Sequence, residues 1–344
     1  MSPSIFWTPD EERVLIRVDE LAEEMVDFLA HVIRIPTVNP PGENYAECAA
    51  FVGDRLLGFG YEVTYLTAVE HPAHSRSAPR VNVVGRFARC GPGRTVHVSA
   101  HMDVIPVGEG WTVEPFSGVI CEGKIFGRGA ADAKAGLAIG LYAVEALRRA
   151  HVAFDGVIEV SATADGESGG GAGLGYLVDA GMVCGERTDA VIVAAACGVE
   201  RLRFDSQNVR PFPDAVEAMT DAGGLAPFPA SEALRERRLV RALDHAMRCV
   251  LGRTPEYVMG PAVSECAHVR RGGVGDYLIY GPGRFEHARR PDEQCRVEDV
   301  VMGCKVLALA LLRMLREGMP HATGARYPGG SRGGPSEGDS PWRA

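Results

Sequence analysis

The stretch VHVSAHMDVIPVGEGWTVEPFSGVICEGKIFGRGAADAK, residues 96–134, decides the fold of this chain. It opens with apolar side chains that alternate with polar ones from Val96 to Ala100, a pattern that predicts a buried strand. The strand is expected to end at His101 and Asp103. In an open α/β sheet, the carboxyl ends of the strands form the crevice that holds substrate or metal. We therefore expect His101 to lie in a functional site, with Asp103 close enough to orient its imidazole ring.

The same stretch ends with another carboxylate, Asp132, directly before a helix predicted over residues 133–150. Histidine and aspartate are both zinc ligands, so His101 and Asp132 are candidates for one metal site. There are simpler alternatives. His101 and Asp103 could form a buried polar pair, and Asp132 could only cap the helix that follows it.

Several motifs of the chain occur together in one known family. They are HMDVIPVG at 101–108, GKIFGRGAADAKAG at 123–136, IPTVNPPG at 35–42, GPG at 281–283 and PDE at 291–293. In type and order these motifs resemble the signature of the M20 metallopeptidases, which include acetylornithine deacetylase, succinyl-diaminopimelate desuccinylase, aminoacylase and glutamate carboxypeptidase. The resemblance covers roughly residues 20–200 and 233–316. It implies an α/β fold in which a zinc-peptidase-like central sheet is flanked by helices.

The resemblance also implies a set of metal ligands. In the family a pair of zinc ions shares the aspartate that aligns with Asp132. His101 aligns with a ligand of one ion. Glu167, which follows a strand predicted at residues 156–164, aligns with a ligand of the other ion. Zinc is the metal that the resemblance implies, with cobalt as the alternative.

Three positions depart from the family pattern. Gly166 stands where the family has the glutamate that acts as general base, and losing such a base typically costs about 10² to 10⁴ in rate. Ala195 and Arg289 stand where the family has metal ligands. Each ion would then be one protein ligand short. We expect at most one ion, weakly bound. A site that binds no metal is the alternative.

Two residues near the lost positions are candidate substitute ligands. Cys197 lies just beyond the first lost position, and His287 lies two residues before Arg289. Arg289 itself allows a different arrangement, because a guanidinium beside Asp132 and Glu167 would balance their charge as a salt bridge in place of an ion. The simpler alternative is that Arg289 is a solvated residue at the rim.

The domain organisation is expected to be reduced. In the M20 family, which this chain resembles, an inserted α+β lid domain dimerises and covers the site. Here the insertion, residues 201–232, is rich in proline, alanine and glycine and is shorter than a typical domain, so we expect a loop that is the remnant of the lid. Residues 1–200 and 233–317 are expected to form the catalytic-type domain. Because the lid that dimerises in the family is missing, we expect a monomer or a dimer through another face. Residues 318–344 have a disordered composition.

Composition limits the partners. Of the 344 residues 46% are hydrophobic, and the formal net charge of −9 argues against a nucleic-acid or membrane-surface role, which needs a basic face. No apolar run reaches the length that spans a bilayer. The nine cysteines form no CxxC pair, as expected of reduced thiols in the cytoplasm. We expect a small-molecule partner such as an N-acyl amino acid or a peptide, with no nucleic acid and no membrane.

Three functional hypotheses follow. The first is a metal-dependent hydrolase of amide bonds of the M20 type with weak or altered activity. The second is a catalytically inactive pseudoenzyme that binds a ligand or a partner protein. The third is a non-hydrolytic enzyme that reuses the crevice, with Cys197 as a reactive group or Arg289 as an anion-binding group.

Overall fold

The computed structural model describes residues 7–89, 91–205, 225–260 and 264–317. Its helices in chain order are α1 (Pro9–Arg34), α2 (Tyr45–Gly58), α3 (Lys134–Arg149), α4 (Leu174–Asp179), α5 (Glu232–Arg235), α6 (Arg238–Leu251), α7 (Ser264–Arg271) and α8 (Val297–Arg316). Within these ranges, none of the helices has both the length and the apolar character that crossing a bilayer requires.

Two sheets accompany the helices. The strands in chain order are β1 (Glu62–Thr67), β2 (Val81–Arg89), β3 (Thr95–His101), β4 (Ile120–Cys121), β5 (Lys124–Phe126), β6 (Gly156–Thr163), β7 (Ala190–Val193), β8 (Arg201–Asp205), β9 (Ala226–Pro227), β10 (Glu256–Gly260), β11 (Tyr277–Ile279) and β12 (Gln294–Arg296). The large central sheet has the order β1-β2-β6-β3-β7-β11-β8-β10-β9, and a small antiparallel sheet has the order β12-β5-β4. The α/β fold expected from the sequence is confirmed.

The middle of the central sheet is parallel. Strand β3 pairs in parallel with β6 on one side and with β7 on the other. In this register His101, the last residue of β3, lies opposite Thr163, the last residue of β6. The carboxyl ends of these neighbouring strands therefore meet at one edge of the sheet, which is where ligand sites of α/β proteins form.

Helices cover both faces of the central sheet. The larger apolar core lies under α1, α2, α3, α6 and α8, and α3 packs against both α1 and α8. A smaller core on the other face includes apolar residues of α4 and α7. Strand β3 is buried almost throughout because it lies between these two layers. Its apolar residues alternate with polar ones because Val96, Val98 and Ala100 pack in the larger core, whereas the buried His97 pairs with Glu159 and Ser161.

The region of the predicted lid remnant differs most from the expectation. The sequence predicts a loop over 201–232, but Arg201–Asp205 form β8 inside the central sheet, and most of that strand is buried. The proline- and glycine-rich composition that suggested a loop belongs to later residues, and 206–224 lie outside the described residues. The sequence analysis also does not predict β10 or α7. The tail, 318–344, lies outside the described residues as well.

Helix α1 begins at a capping box. The Thr8 hydroxyl accepts a hydrogen bond from the Glu11 N–H, and the Glu11 carboxylate accepts one from the Thr8 N–H at 2.9 Å. This pair satisfies two donors that a helix N-terminus would otherwise leave unpaired. The other carboxylate oxygen of Glu11 lies 3.3 Å from Nε2 of His245 on α6, so the cap also joins two helices. The hydrogen bond from His245 is the main cause that lowers the pKa of Glu11 to about 2.

We expect Glu11→Gln to lower the free energy of unfolding at pH 7 by about 1 kcal/mol, because the neutral amide can keep the capping hydrogen bond but loses the charge that strengthens the hydrogen bond with His245. The folded-state pKa of Glu11 is depressed to about 2 from its ordinary 4.5, so its contribution is fully present above about pH 4.5 and is lost as the pH falls through about 2. Urea denaturation of both proteins between pH 7 and pH 3 measures the difference, which should shrink toward the acid end. Glu12→Gln, at an exposed carboxylate of the same helical turn, is the control and should change stability by less than about 0.5 kcal/mol. Equal losses in the two variants would contradict the role of the Glu11 charge.

Candidate metal centre

The candidate site lies at the carboxyl ends of three parallel neighbours, β6, β3 and β7. His101 ends β3, Glu167 lies in a short 3-10 turn (Gly166–Ser168) after β6, and Ala195 follows β7. Asp132 comes from elsewhere in the chain, two residues before α3. These residues are far apart in the sequence, and the parallel register of the sheet brings the ends of β3, β6 and β7 to one edge.

His101, Asp132 and Glu167 converge. One ligand atom of each lies within 4.8 Å of the others, and together they are a group that could hold a metal ion within the part of the chain that the structure describes. His101 is 4% exposed, and its Nε2 lies 3.9 Å from Oδ1 of Asp132. One imidazole nitrogen and two carboxylates are donors that zinc accepts, and three protein ligands are the usual number in catalytic zinc sites.

Asp103 fixes the position of His101. The Nδ1 of His101 lies 3.0 Å from the Asp103 carbonyl oxygen and 3.4 Å from Oδ1 of its carboxylate. A carbonyl oxygen only accepts, so Nδ1 carries the hydrogen and Nε2 is the atom that faces Asp132. Burial opposes a charge on this imidazole, but the hydrogen bond and the charge of Asp103 outweigh it and hold the pKa of His101 well above its ordinary value.

The same carboxylate also fixes the turn that bears Glu167. Asp103 accepts hydrogen bonds from the backbone N–H groups of Gly166, at 2.9 Å, and Glu167, at 3.0 Å. A third comes from the side-chain amide of Asn39 in the NPPG segment, at 2.9 Å. Burial favours the neutral acid, yet the hydrogen bond from His101 and its charge keep the pKa of Asp103 below its ordinary value. Asp103 is therefore a charged residue with several partners in the interior.

Asp132 is held by a buried ion pair. Glu293, the glutamate of the PDE motif, accepts hydrogen bonds from the N–H groups of Ala131 and Asp132 at 3.0 and 3.1 Å. Its other oxygen pairs with Arg128 at 2.8 Å. The peptide bond between Asp132 and Ala133 is cis. Asp132 does not cap α3, whose N-cap is Ala133 without a side-chain hydrogen bond, so the simpler alternative for this aspartate is wrong.

Arg289 lies at the site. Its Nη2 is 2.6 Å from Oε2 of Glu167, an ion pair in which the arginine side chain is 55% exposed and the glutamate 3%. Burial, helped by the charge of Asp132, raises the pKa of Glu167 to about 7, although His101 and Arg289 both oppose that shift. The predicted salt bridge is present to Glu167. Asp132 accepts its hydrogen bond instead from the Ala196 N–H, at 3.0 Å.

The sequence matches a known family of peptidases. The model of peptidase family M20/M25/M40 matches residues 97–313, which is more than half of the chain. The protein belongs to this family. The M20 family is metal-dependent and usually uses zinc, which agrees with the donor set at the edge of the sheet.

Individual relatives agree with the family match. Succinyl-diaminopimelate desuccinylase of Cupriavidus necator is 32% identical over 173 residues, which are 50% of this chain and 44% of the relative. The enzyme of that name from Methylorubrum extorquens strain PA1 is 36% identical over 162 residues, 46% of this chain and 40% of the relative. The chain thus spans less than half the length of these curated relatives.

Solved structures of the family share the fold. The di-peptidase Dug1p of Saccharomyces cerevisiae superposes with a TM-score of 0.74 at 15% identity, covering 93% of this chain and 100% of that one. Human carnosine dipeptidase 1 superposes with a TM-score of 0.71 at 14% identity, covering 89% of this chain and 100% of that one. At this level of identity the likeness establishes the fold alone.

Gly166, the residue predicted to stand at the general-base position, lies in close contact with His101. Gly166 packs so tightly on His101 that a Cβ atom at residue 166 would lie 2.4 Å from both Cβ and Cγ of the histidine. Real Cβ atoms essentially never approach other atoms so closely. A side chain at residue 166 would therefore require the turn or His101 to move.

The other departures are also visible in the structure. Ala195 is buried in the smaller core. Cys197 is buried too, its thiol donates to the Arg201 carbonyl oxygen at 3.3 Å, and burial raises its pKa to about 12. His287 is exposed. Neither Cys197 nor His287 belongs to the converging group found among the described residues.

One residue near the site was missed by the sequence analysis. Glu265, on α7, is 2% exposed, and the charges that act on its carboxyl group include those of His101, Asp103 and Asp132. Burial raises the pKa of Glu265 to about 7, with the charge of His101 acting in the opposite direction. The Ser264-Glu265 pair is a helix-start pattern that the sequence offers. No local pattern indicates that this helix packs on the glycine-rich turn at Gly170.

The contact between Gly166 and His101 can be tested. We expect Gly166→Ala to lower the free energy of unfolding by about 1 to 3 kcal/mol, the usual effect of overpacking a filled site. Gly58→Ala is the control, because a Cβ there meets no atom within 4 Å. Urea denaturation measures both. A Gly166→Ala variant as stable as the parent protein would show that the turn does not approach His101 in this way.

Proposed function

We propose that the protein is a metal-dependent hydrolase of amide bonds in small N-acyl amino acids or peptides, with one zinc ion bound at His101, Asp132 and Glu167. The observation that carries this proposal is the convergence of these three ligand atoms within 4.8 Å. The donor set fits zinc, and the hydrogen bond from Nδ1 of His101 to Asp103 leaves Nε2 as the nitrogen that would bind metal in exchange for its proton.

The chain's own residues set what this site can do. When bound, a zinc ion supplies Lewis acidity, which polarises a carbonyl group and makes water more acidic. Asp103 and Glu293 keep the ligands in place through His101 and through the backbone at Asp132. Gly166 supplies no acid or base, so proton transfer to the leaving amine is impaired. The expected rate is about 10² to 10⁴ below that of an M20 enzyme with its glutamate.

The substrate class rests on the relatives. The curated relatives are desuccinylases of succinyl-diaminopimelate, and two similar solved structures are dipeptidases. All of these names describe the cleavage of a C–N bond in a small molecule. Small acylated amino acids and peptides are therefore the substrates to test first.

A second candidate function has its own observation. The Arg289–Glu167 ion pair, at 2.6 Å, already neutralises one of the three ligands, and the base position is closed. Both features favour a pseudoenzyme that binds a ligand in the crevice without hydrolysing it. The third hypothesis, a non-hydrolytic enzyme with Cys197 as a reactive group, gains no support from this residue. A thiol with a pKa of about 12 carries little thiolate at neutral pH.

Zinc binding and turnover test the proposal together. We expect equilibrium dialysis to give at most one zinc per chain. Hydrolysis of acetylornithine, succinyl-diaminopimelate or a dipeptide should be zinc-dependent and at least about 10²-fold slower than in an M20 enzyme with its base. Asp132→Asn should remove both zinc and turnover, whereas the exposed His287→Ala should change neither. Retention of two zinc ions would contradict the ligand assignment. Ligand binding without zinc and without turnover would favour the pseudoenzyme.

The role of Arg289 gives a separate prediction. We expect Arg289→Met to raise the affinity for zinc on the order of tenfold, because it removes a positive charge beside the ion and releases Glu167. Arg290→Met is the control, since this neighbour is also exposed and forms no ion pair within the described residues. Competition with a chromophoric chelator measures both affinities. Equal affinities in the two variants would mean that Arg289 does not compete with metal.

A further inference from the structure

An open cleft lies at the C-terminal end of α3, the opposite end of this helix from the candidate metal centre. Its volume is about 500 Å³, and small-molecule sites typically measure about 300 to 1,000 Å³. Asp132 precedes α3 by two residues, and the 16 residues of the helix span about 24 Å, so the cleft is separate from the metal centre. The side chains that line it include Phe59, Phe87, Arg89, Arg148 and His151.

Aromatic rings give the cleft an apolar wall. The ring of Tyr61 packs between Phe59 and Phe87, with its centroid 6.2 Å from the first ring and 5.3 Å from the second. Phe87 in turn packs on Phe154, with 6.2 Å between the ring centroids. Phe59 and Phe87 line the cleft at its surface, so this row of rings offers a rigid surface to the apolar part of a ligand.

Arg89 brings to the cleft a positive charge that no described acid balances. Its guanidinium carbon lies 5.6 Å from the ring centroid of Phe87 and 5.5 Å from that of Phe154. Within the described residues Arg89 forms no ion pair, and its Nε is buried without a hydrogen-bond partner. The two rings hold the guanidinium in place but do not neutralise it. Polar groups withdrawn from water are nearly always paired, so an anionic ligand would supply the partner that this side chain lacks.

Arg148 adds a second guanidinium. Its Nε and Nη2 both donate to the carboxylate of Glu145 at 2.7 Å, and Arg149 shares that carboxylate. Arg149 also pairs with Glu24, which pairs with Arg55. Three guanidinium groups therefore face two carboxylates in this network, and none of the described residues that line the cleft is acidic. The cleft has a net positive charge even before Arg89 is counted.

We propose that this cleft binds a small organic anion. The apolar part of the ligand would pack on Phe59 and Phe87, and its carboxylate or phosphate group would pair with Arg89 and Arg148. Guanidinium groups suit both anions, because their planar fork donates two parallel hydrogen bonds to a pair of oxygens. This inference does not rest on the proposed function, because the cleft shares no residue with the metal centre.

Phenyl phosphate tests the site, since it joins one aromatic ring to an anion. We expect the backbone amide signals of Gly60 and Ala88, which also line the cleft, to shift saturably in ¹H–¹⁵N NMR spectra, with a Kd on the order of 1 mM. Phenylacetate, which carries a carboxylate on the same ring, should shift the same signals. Inorganic phosphate and benzyl alcohol each present only one half of the ligand and should bind at least about tenfold more weakly.

Variants identify the groups that hold the anion. We expect Arg89→Met, which keeps an apolar stem and removes the charge, to weaken the binding of phenyl phosphate at least about tenfold. Arg148→Met should weaken it about threefold and covers the case in which Arg89→Met fails to fold. Arg86→Met is the matched control and should bind as the parent protein does. Arg86 is on the same strand and is also half-buried, but it pairs with Glu62 at 3.2 Å and does not line the cleft.

Three results would overturn the proposal. The first is the absence of a saturable shift at Gly60 and Ala88 up to about 10 mM phenyl phosphate. The second is an affinity for inorganic phosphate or benzyl alcohol equal to that for phenyl phosphate, because the ring and the charge would then not act together. The third is an unchanged affinity in the folded arginine variants. The affinity should be the same with and without added zinc, so failure of the proposed function would leave this inference standing.

Discussion

The carboxylate of Asp103 connects the parts of the site. It lies in the interior and accepts hydrogen bonds from His101, from the backbone of Gly166 and Glu167, and from the Asn39 amide. A buried acceptor with this many donors is costly to remove, because every donor left behind would lose its partner. Three separate segments of the chain, the end of β3, the turn after β6 and the NPPG segment, therefore keep their relative positions through one side chain. The candidate ligands His101 and Glu167 owe their closeness to it.

Charge balance limits what the crevice can hold. Asp103, Asp132 and Glu167 place three carboxylates around a single imidazole, and the carboxyl group of Glu265 also raises the pKa of that imidazole. In M20 enzymes metal ions supply the positive charge, by the resemblance noted above. Here Arg289 supplies part of it from an exposed side chain, so under the proposed function a metal and the guanidinium would compete for Glu167. A half-exposed arginine is screened by solvent, which makes it a weaker partner for Glu167 than a bound ion would be.

The sequence predicts what depends on local pattern and on motifs. The alternation before His101 is visible because Val96, Val98 and Ala100 pack in the larger apolar core, whereas the buried His97 pairs with polar side chains of β6. Asp132 lies in a motif that is kept, and Glu167 is placed by a motif that is kept except at Gly166. Two other features depend on contacts between distant segments, and no local pattern encodes these. Glu265 acts on the pKa of His101 only because α7 packs on the glycine-rich turn at Gly170. Strand β8 is not predicted from the sequence because it is short and is followed by a segment of loop-like composition.

The change at Gly166 concerns the backbone as well as the missing acid. Because residue 166 has no Cβ, the turn can approach His101, and in that position the Gly166 N–H donates to Asp103. The lost base and the tight turn are therefore one structural feature. A glutamate placed at 166 alone would need the turn to move away from His101, and that movement would strain the hydrogen bonds that hold Glu167 in the ligand group.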